Sequence, residues 1–438
     1  MKMNTTTPRI PSGFNEYLPA EQIEFNRLLD IIGSTYEKYG FAPLDTPVLE
    51  LSEVLLAKGG GETEQQVYRF ERGRNDLTMR YDLTVPLARY VAQNQGVLAF
   101  PFRRYQIGKV YRAERAQAGR FREFYQCDID TIGSDSPVVD AEFPAIINEI
   151  FERFGFGDFT IRINNRMVLN GFFEGIGLAD VSKEVLRIID KMEKISAQEL
   201  RDELISLGLN AQQIDQLLAF TSLTGTNDEI LASLGAFRVQ NDTYSVGVAK
   251  LRMLIDTLRL MNVPERRFVI DLRIARGLDY YTGTVYETLL NKYPGVGSVC
   301  SGGRYDNLAS NYMKTTLPGV GISIGLTRLF YKLMEVGVIQ PTKQSLADVV
   351  VMPMTLNQLP DALATSAALR EAGLAVIDYT EPNDLRKKYK YVDKMGCRYA
   401  VLIGEDEIAK GIISLKDMQS GESSPLTLPQ LLKVLTAV

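Results

Sequence analysis

FRRYQIGKVYRAERAQAGRFREFYQCDIDTI, residues Phe102 to Ile132, reads as two strand-like runs around a polar, arginine-rich turn. Phe102–Tyr111 and Phe121–Ile132 are rich in aromatic and β-branched side chains, which suit a pleated surface. The turn at Ala116–Gly119 ends on a glycine. From Arg112 to Arg120 the loop carries Arg112, Glu114, Arg115, Gln117 and Arg120. A guanidinium is a rigid planar fork of donors that matches phosphate oxygens, so several on one hairpin suit a polyphosphate. Spacing alone leaves two readings open, a phosphate clamp or a solvated charged hairpin, and leans towards the second.

Upstream, Phe25, Leu28, Leu29, Ile32, Tyr36 and Tyr39 fall at helical spacing, and Gly40 follows as a stop. Phe41–Leu51 reads as extended chain broken by Pro43 and Pro47, and Gln66–Phe70 and Leu77–Tyr81 as strands. Downstream, Phe143, Ile147, Ile150, Phe151 and Phe154 mark a helix, and Phe159–Ile163 a strand. From near Asn170 to about Pro264 the pattern turns helical and charged; strands then return at Phe268–Leu272, Thr284–Leu290 and Gly319–Gly325. Neighbouring strands joined by turns predict a mainly antiparallel sheet in an α+β domain with a helical insertion. After a polar linker around Gln340–Leu346, strands and helices alternate from Val349 to Leu435, predicting a small mixed or parallel α/β domain able to fold alone.

A length of 438 residues predicts two or three domains, and 45% hydrophobic with 24% charged residues is a globular composition. No apolar run approaches a membrane span. Met1–Pro8 has neither the apolar core of a signal peptide nor an Arg-rich amphipathic helix. A cytoplasmic protein without a membrane partner is expected. Cys127, Cys300 and Cys397 stand in no metal-ligand spacing and read as reduced, mostly buried thiols. The net charge of −5 leaves nucleic-acid binding to local basic patches. There is no histidine, which excludes a Ser-His-Asp triad, a Cys-His pair and an imidazole base. Any catalysis falls to carboxylates, arginines, lysines and tyrosines, with Mg2+ as the available metal.

Four further segments carry chemistry. Arg276-Gly-Leu-Asp-Tyr280-Tyr281-Thr-Gly283 is a glycine-bounded turn into a strand, a pattern that core tyrosines also satisfy. Ser301-Gly-Gly-Arg304-Tyr305-Asp306 and the run Gly319–Gly325 put glycines in strands, where a ligand or backbone comes close. Arg328 follows at the start of a helix, a place that favours phosphate. In Met79–Pro86, Asp82 and Thr84 are two residues apart, so a strand there points both to one face. The helix Leu385–Met395 carries Arg386, Lys387, Lys388, Lys390 and Lys394, which an ordinary solvated face also accounts for.

Together these segments resemble the histidyl-tRNA synthetases, a class II aminoacyl-tRNA synthetase family, over nearly the whole chain. Arg112-x-Glu114, Gly119–Phe124 and Gln126 are similar to motif 2 of that class, and Phe121–Asp130 to its histidine-specific form. Arg276–Gly283 resembles a peptide diagnostic of the family; Gly319–Leu329 resembles motif 3, and Phe41–Glu50 motif 1, the dimer segment. The resemblance implies a histidine–tRNA ligase fold: a class II antiparallel-sheet catalytic domain (1–169 and 265–338), a helical insertion (170–264) and an α/β anticodon-binding domain (345–438). It implies that Arg112 bridges the amino-acid carboxylate and the α-phosphate of ATP, that Glu114 receives the adenine amino group, and that Arg120 and Arg328 hold the outer phosphates. Arg276 becomes a cationic catalyst at the α-phosphate. Asp82 takes the substrate ammonium with Thr84 beside it, and Gln126, Asp130, Tyr280 and Tyr281 contact the bound histidine. Aspartate here is shorter than the glutamate of many bacterial members. Arg115, Gln117, Arg386 and Lys387 become candidates for contact with tRNA(His). Mg2+ would ride on ATP, aided by Glu114, and the protein would act as a homodimer.

A mechanism without histidine is sound, because the substrate carboxylate is already ionised and needs no general base. The rival reading is a non-catalytic paralogue, the regulatory subunit of an ATP phosphoribosyltransferase. Such proteins typically lack the C-terminal domain and have a degraded Arg-Gly-Leu-Asp-Tyr-Tyr segment, and both are intact here.

Overall fold

The computed structural model describes residues 6–57, 65–115, 119–189, 195–237, 239–274, 281–306, 310, 312 and 316–437. Gln117, Arg276 and Tyr280 lie outside these described residues. Two compact units emerge: Met1–Asn15 with Asp30–Ile339, and Glu16–Leu29 with Gln340–Val438.

The first unit is built on strands β1 (Ala42–Pro43), β2 (Leu49–Leu51), β3 (Arg69–Arg72), β4 (Asn75–Met79), β5 (Phe102–Tyr111), β6 (Glu123–Ile132), β7 (Phe159–Asn165), β8 (Phe268–Ile270), β9 (Tyr281–Leu290), β10 (Cys300–Tyr305) and β11 (Gly319–Gly325). Eight of them form one sheet in the order β1-β5-β6-β11-β10-β9-β7-β8. Only the outer pairs β1/β5 and β7/β8 run parallel; every central pairing is antiparallel, as expected from strands joined by turns. The opening stretch forms the hairpin β5–β6, in register from Phe102 opposite Ile132 to Tyr111 opposite Glu123. β2, β4 and β3 make a separate small sheet, on which Leu49, Leu51 and Phe70 are exposed, with Val48 exposed just before β2.

The helix Pro137–Phe154 buries Phe143, Ile146, Ile147 and Ile150. An ion pair ties it to the sheet. Arg304 of β10 and Asp140 are both buried, with the Arg304 Nε donating to Asp140 Oδ1 at 2.9 Å. Thr284 donates to the other carboxylate oxygen at 2.7 Å, and the Tyr286 hydroxyl to the Asp140 carbonyl at 2.7 Å. Arg304→Met would strand Asp140 as a buried charge. Urea unfolding is expected to show about 3–5 kcal/mol lost; a loss within about 1 kcal/mol would give this pair no more weight than a surface one.

The region expected to be helical holds helices Arg166–Gly175, Ser182–Ile189, Ala197–Ser206, Ala211–Thr221, Asn227–Ala236 and Asp242–Leu260. Short helices need their first N–H groups satisfied. Three are closed by reciprocal capping boxes, Ser196 with Glu199, Asn210 with Gln213 and Thr226 with Glu229.

The second unit carries β12 (Val349–Pro353), β13 (Val376–Asp378), β14 (Tyr399–Ile403), β15 (Ile413–Asp417) and β16 (Ser423–Leu426), in the order β13-β12-β14-β15-β16. The first three are parallel and the last two antiparallel, so the sheet is mixed. Alternate residues of β12 feed two cores: Val349 and Val351 with Leu369 and Leu431, and Val350 and Met352 with Val392 and Leu402. β16 carries no strand signal in the sequence, because Ser-Ser-Pro-Leu suits a strand only at an exposed edge. All three cysteines are free and buried, as expected.

Candidate functional site

Along β6 the side chains alternate, so Gln126, Asp128 and Asp130 share one face of the sheet. Register places Gly108, Gln106 and Arg104 of β5 beside them on one flank, and Gly325, Ser323 and Gly321 of β11 on the other. This polar strip forms the floor of the site.

Asp130 is its most tightly held member. Its Oδ2 lies 2.7 Å from Nη2 of Arg104, a fully buried guanidinium, and its Oδ1 accepts the Tyr305 hydroxyl at 2.5 Å. A Cβ at position 321 would stand 2.1 Å from Asp130 Oδ1, so only glycine lets the carboxylate lie across β11. Tyr281, opposite Tyr305 in the register of β9 and β10, packs close to Gly303, where a Cβ would stand 3.0 Å from its ring. Burial raises the Asp130 carboxyl above its ordinary range, and Arg104 and the Tyr305 hydroxyl oppose that rise. Burial pushes Asp128 up to about 7 against the pull of Arg104, with Asp130 adding to the rise. The Gln126 amide donates to Ser323 at 2.9 Å. Gln126 Oε1, Asp128 Oδ1, and Nε and Nη1 of Arg104 are buried without a hydrogen-bond partner among the described residues.

Asp82 and Thr84 require a correction. They do not share a strand face: β4 ends at Met79 and the helix Thr84–Asn94 begins at Thr84. Pro86 sits in its first turn, where the missing N–H has no helical partner to lose. Asp82 Oδ1 accepts the Val85 N–H at 3.1 Å, holding the carboxylate at the head of this helix. The group is buried, and burial raises its carboxyl, opposed by the Val85 N–H and by the charges of Arg112 and Arg104. The fold therefore still brings Asp82 to the strip, from a helix end rather than a strand.

Arg112 follows β5 directly. Its Nε donates to the Tyr81 carbonyl at 3.1 Å, and its guanidinium lies 5.1 Å from the centre of the Phe124 ring. Arg122 fixes the loop by donating to the Glu114 carbonyl at 3.0 Å. Arg115 is exposed. Glu114 meets exposed Arg120 only at 3.9 Å. Arg328 is the third residue of helix Leu326–Glu335 and donates to the Val296 carbonyl at 3.1 Å. Thr327 of that helix accepts the Tyr125 N–H at 2.8 Å, joining the helix to β6.

In the second unit, Arg386 and Lys387 are exposed on helix Leu385–Lys394, capped by Asp384, with Lys390 and Lys394 also exposed. Lys388 departs from the expected basic face: it is buried and donates to the Pro353 carbonyl at 2.6 Å. On a helix, neighbours in sequence cannot all share one face. Among the described residues, no group of carboxylates or thiols is arranged as a protein-only metal site, and no helix is long and apolar enough to cross a membrane.

The sequence marks Gly321 as part of a close-approach strand but assigns no site role to Arg104, Asp128, Tyr305 or Ser323. The two-residue period of Gln126, Asp128 and Asp130 was a usable signal for Asp128; the cross-strand partners needed the register.

Residues 13–329 match the family model described as histidyl-tRNA synthetase, and residues 348–437 the one described as an anticodon binding domain. A histidine–tRNA ligase of Clostridium tetani is 52% identical, with 99% of each chain covered. One from Xanthomonas oryzae is 47% identical over 94% of this chain and 93% of its own. The crystal structure of histidyl-tRNA synthetase from Nostoc superposes with a TM-score of 0.94 at 42% identity, covering 99% of this chain and 100% of that one. A Bacillus halodurans protein described as an ATP phosphoribosyltransferase regulatory subunit/histidyl-tRNA synthetase shares the fold, at 22% identity, TM-score 0.76 and coverage of 92% and 99%.

Proposed function

The chain belongs to the histidyl-tRNA synthetase family, and from that premise we propose that it activates L-histidine with ATP to histidyl-adenylate, releasing pyrophosphate, and transfers histidine to the 3′-terminal adenosine of tRNA(His). One observation carries this reading: the whole chain, both units included, corresponds to a histidine–tRNA ligase at 52% identity. The regulatory-subunit reading is not favoured, because resemblance at 22% identity reaches the fold alone.

The chemistry suits the residues. The histidine carboxylate attacks the α-phosphate without a base, so the protein has to orient both reactants and stabilise charge on the phosphoryl group. Arg112, tethered to Tyr81 and Phe124, supplies a fixed cation for the carboxylate and α-phosphate. Arg276 takes the second cationic position there, Arg120 and Arg328 the outer phosphates, and Glu114 the adenine amino group. Asp82 receives the substrate ammonium near Thr84. Gln126, Asp130 and the tyrosines Tyr280 and Tyr281 recognise the imidazole, with Tyr305 and Arg104 fixing the Asp130 carboxylate. Mg2+ bound to ATP would shield phosphate charge. Glu114, whose carboxylate meets Arg120 only at 3.9 Å among the described residues, would offer it an oxygen ligand, the rest coming from phosphates and water.

Residues 1–169 and 265–338 serve as the catalytic domain, 170–264 as the insertion, and 345–438 as the anticodon-binding domain. There Arg386 and Lys387 meet the phosphate backbone, and Arg115 and Gln117 of the arginine-rich loop are further candidates for contact with the tRNA. The exposed Val48, Leu49, Leu51 and Phe70 are the apolar surface that a homodimer would cover. The enzyme works in the cytoplasm, where its tRNA is used. The test is ATP–pyrophosphate exchange with each of the twenty amino acids. Exchange with histidine alone is expected; exchange driven by another amino acid, or none at all from folded protein, would refute the assignment.

A further inference from the structure

The floor of the site holds two carboxyls and one buried guanidinium. Asp130 takes Nη2 of Arg104 and the Tyr305 hydroxyl. Asp128, two residues earlier on the same face, is 3% exposed and keeps Oδ1 without a hydrogen-bond partner among the described residues. Beside it Gln126 Oε1 is equally bare, and so are two nitrogens of Arg104. A buried polar atom left unpaired costs about 1–3 kcal/mol, so a cluster of them in one strip marks a place where a polar ligand is received. The charge of Asp130 makes ionisation of Asp128 harder, and burial does so more strongly.

Resting on the assignment of this strip to the histidine ring, we propose that Asp128 is a further specificity-determining residue: it keeps or releases one proton so that ring and carboxyl together hold a single proton in the complex, whether the substrate arrives as imidazole or imidazolium. Imidazolium entering the site meets a protonated Asp128, and the acid's proton leaves to solvent. Neutral imidazole entering over ionised Asp128 draws one proton in from solvent. The charge on the floor is balanced in both cases.

The surroundings of Asp128 are consistent with this role. Arg104 of β5 favours its ionised form; Asp130 on its own strand and Asp82 at the nearby helix head disfavour it, and the Ser323 hydroxyl of β11 favours it. Tyr36 and the thiols Cys127 and Cys300 lie within electrostatic reach of its charge, and each is held neutral by burial first. The net result sits at about 7, where a carboxyl can go either way near neutrality.

Isothermal titration of the full-length protein with L-histidine, in buffers of different ionisation enthalpy, reads the protons exchanged on binding. The wild type is expected to release about half a proton or more near pH 6 and to take up close to one near pH 8, given an ordinary imidazole value of about 6.5. Asp128→Asn is expected to bind histidine with no uptake near pH 8. Wild type that binds histidine without proton uptake near pH 8 overturns the proposal, whether or not the variant folds. An Asp128→Asn protein with the wild-type uptake overturns it too. Failure of the wild type to bind histidine at all refutes the underlying assignment of the pocket instead.

Discussion

Arg112→Ala is expected to lower the rate of histidine-dependent ATP–pyrophosphate exchange on the order of a thousandfold, the scale seen when one preorganised cationic or oxyanion contact is removed from a transition state. The guanidinium is fixed before substrate arrives, by the Tyr81 carbonyl at 3.1 Å and the face of Phe124. A cation already in place needs little reorganisation as charge moves onto the α-phosphate. The loss should therefore fall mainly on kcat. Arg112→Lys keeps the charge but not the planar fork, and should recover only part of the rate. A raised KM for histidine with unchanged kcat would show that Arg112 binds the ground state and transition state alike, contrary to its proposed role.

Asp130→Asn is expected to reduce kcat/KM for histidine by about a hundredfold, or about 3 kcal/mol of transition-state binding. The amide keeps the shape of the carboxylate and can still accept the Tyr305 hydroxyl. It loses the charge that balances Arg104, and it loses the strong acceptor for a ring N–H. Because Arg104 is fully buried, the variant should also be less stable by about 3 kcal/mol or more. Initial rates and urea unfolding measured on the same preparation separate the two effects. Full activity in a destabilised protein would reduce Asp130 to a structural counter-ion.

Much of this architecture was legible before any coordinates. The hairpin β5–β6 followed from composition and a turn, the antiparallel sheet from strands that come as neighbours, and the C-terminal α/β unit from strict alternation. Legibility stopped where local signals compete with tertiary ones. Asp82-Leu-Thr84-Val-Pro86 has the spacing of a strand, yet the tolerance of Pro86 for a first helical turn and the capping carboxylate of Asp82 decide for a helix. Lys388 looked like one of five solvated cations, and only the packing of its helix against β12 turns it inward. The site divides in the same way. Charged residues of motif 2 announce themselves, whereas Arg104, Tyr305 and Gly321 belong to the site only because β5, β10 and β11 are aligned with β6, and register across distant segments is not written in any one of them.

That alignment also has a bearing on the order of assembly. β6 pairs with β5 through a local hairpin, but its other edge is closed by β11, which follows only after the entire stretch 133–318. Until Gly319–Gly325 has been synthesised and seated, β6 remains an open edge with Asp128 and Asp130 facing solvent beside it, a template for pairing with other chains. Non-local pairing of this kind is slow because a long loop must close before any contact rewards it. During translation, then, the polar strip is among the last parts of its unit to be completed, and a ribosome stalled before residue 319 would display a chain that has its arginine loop but only one edge of the strip.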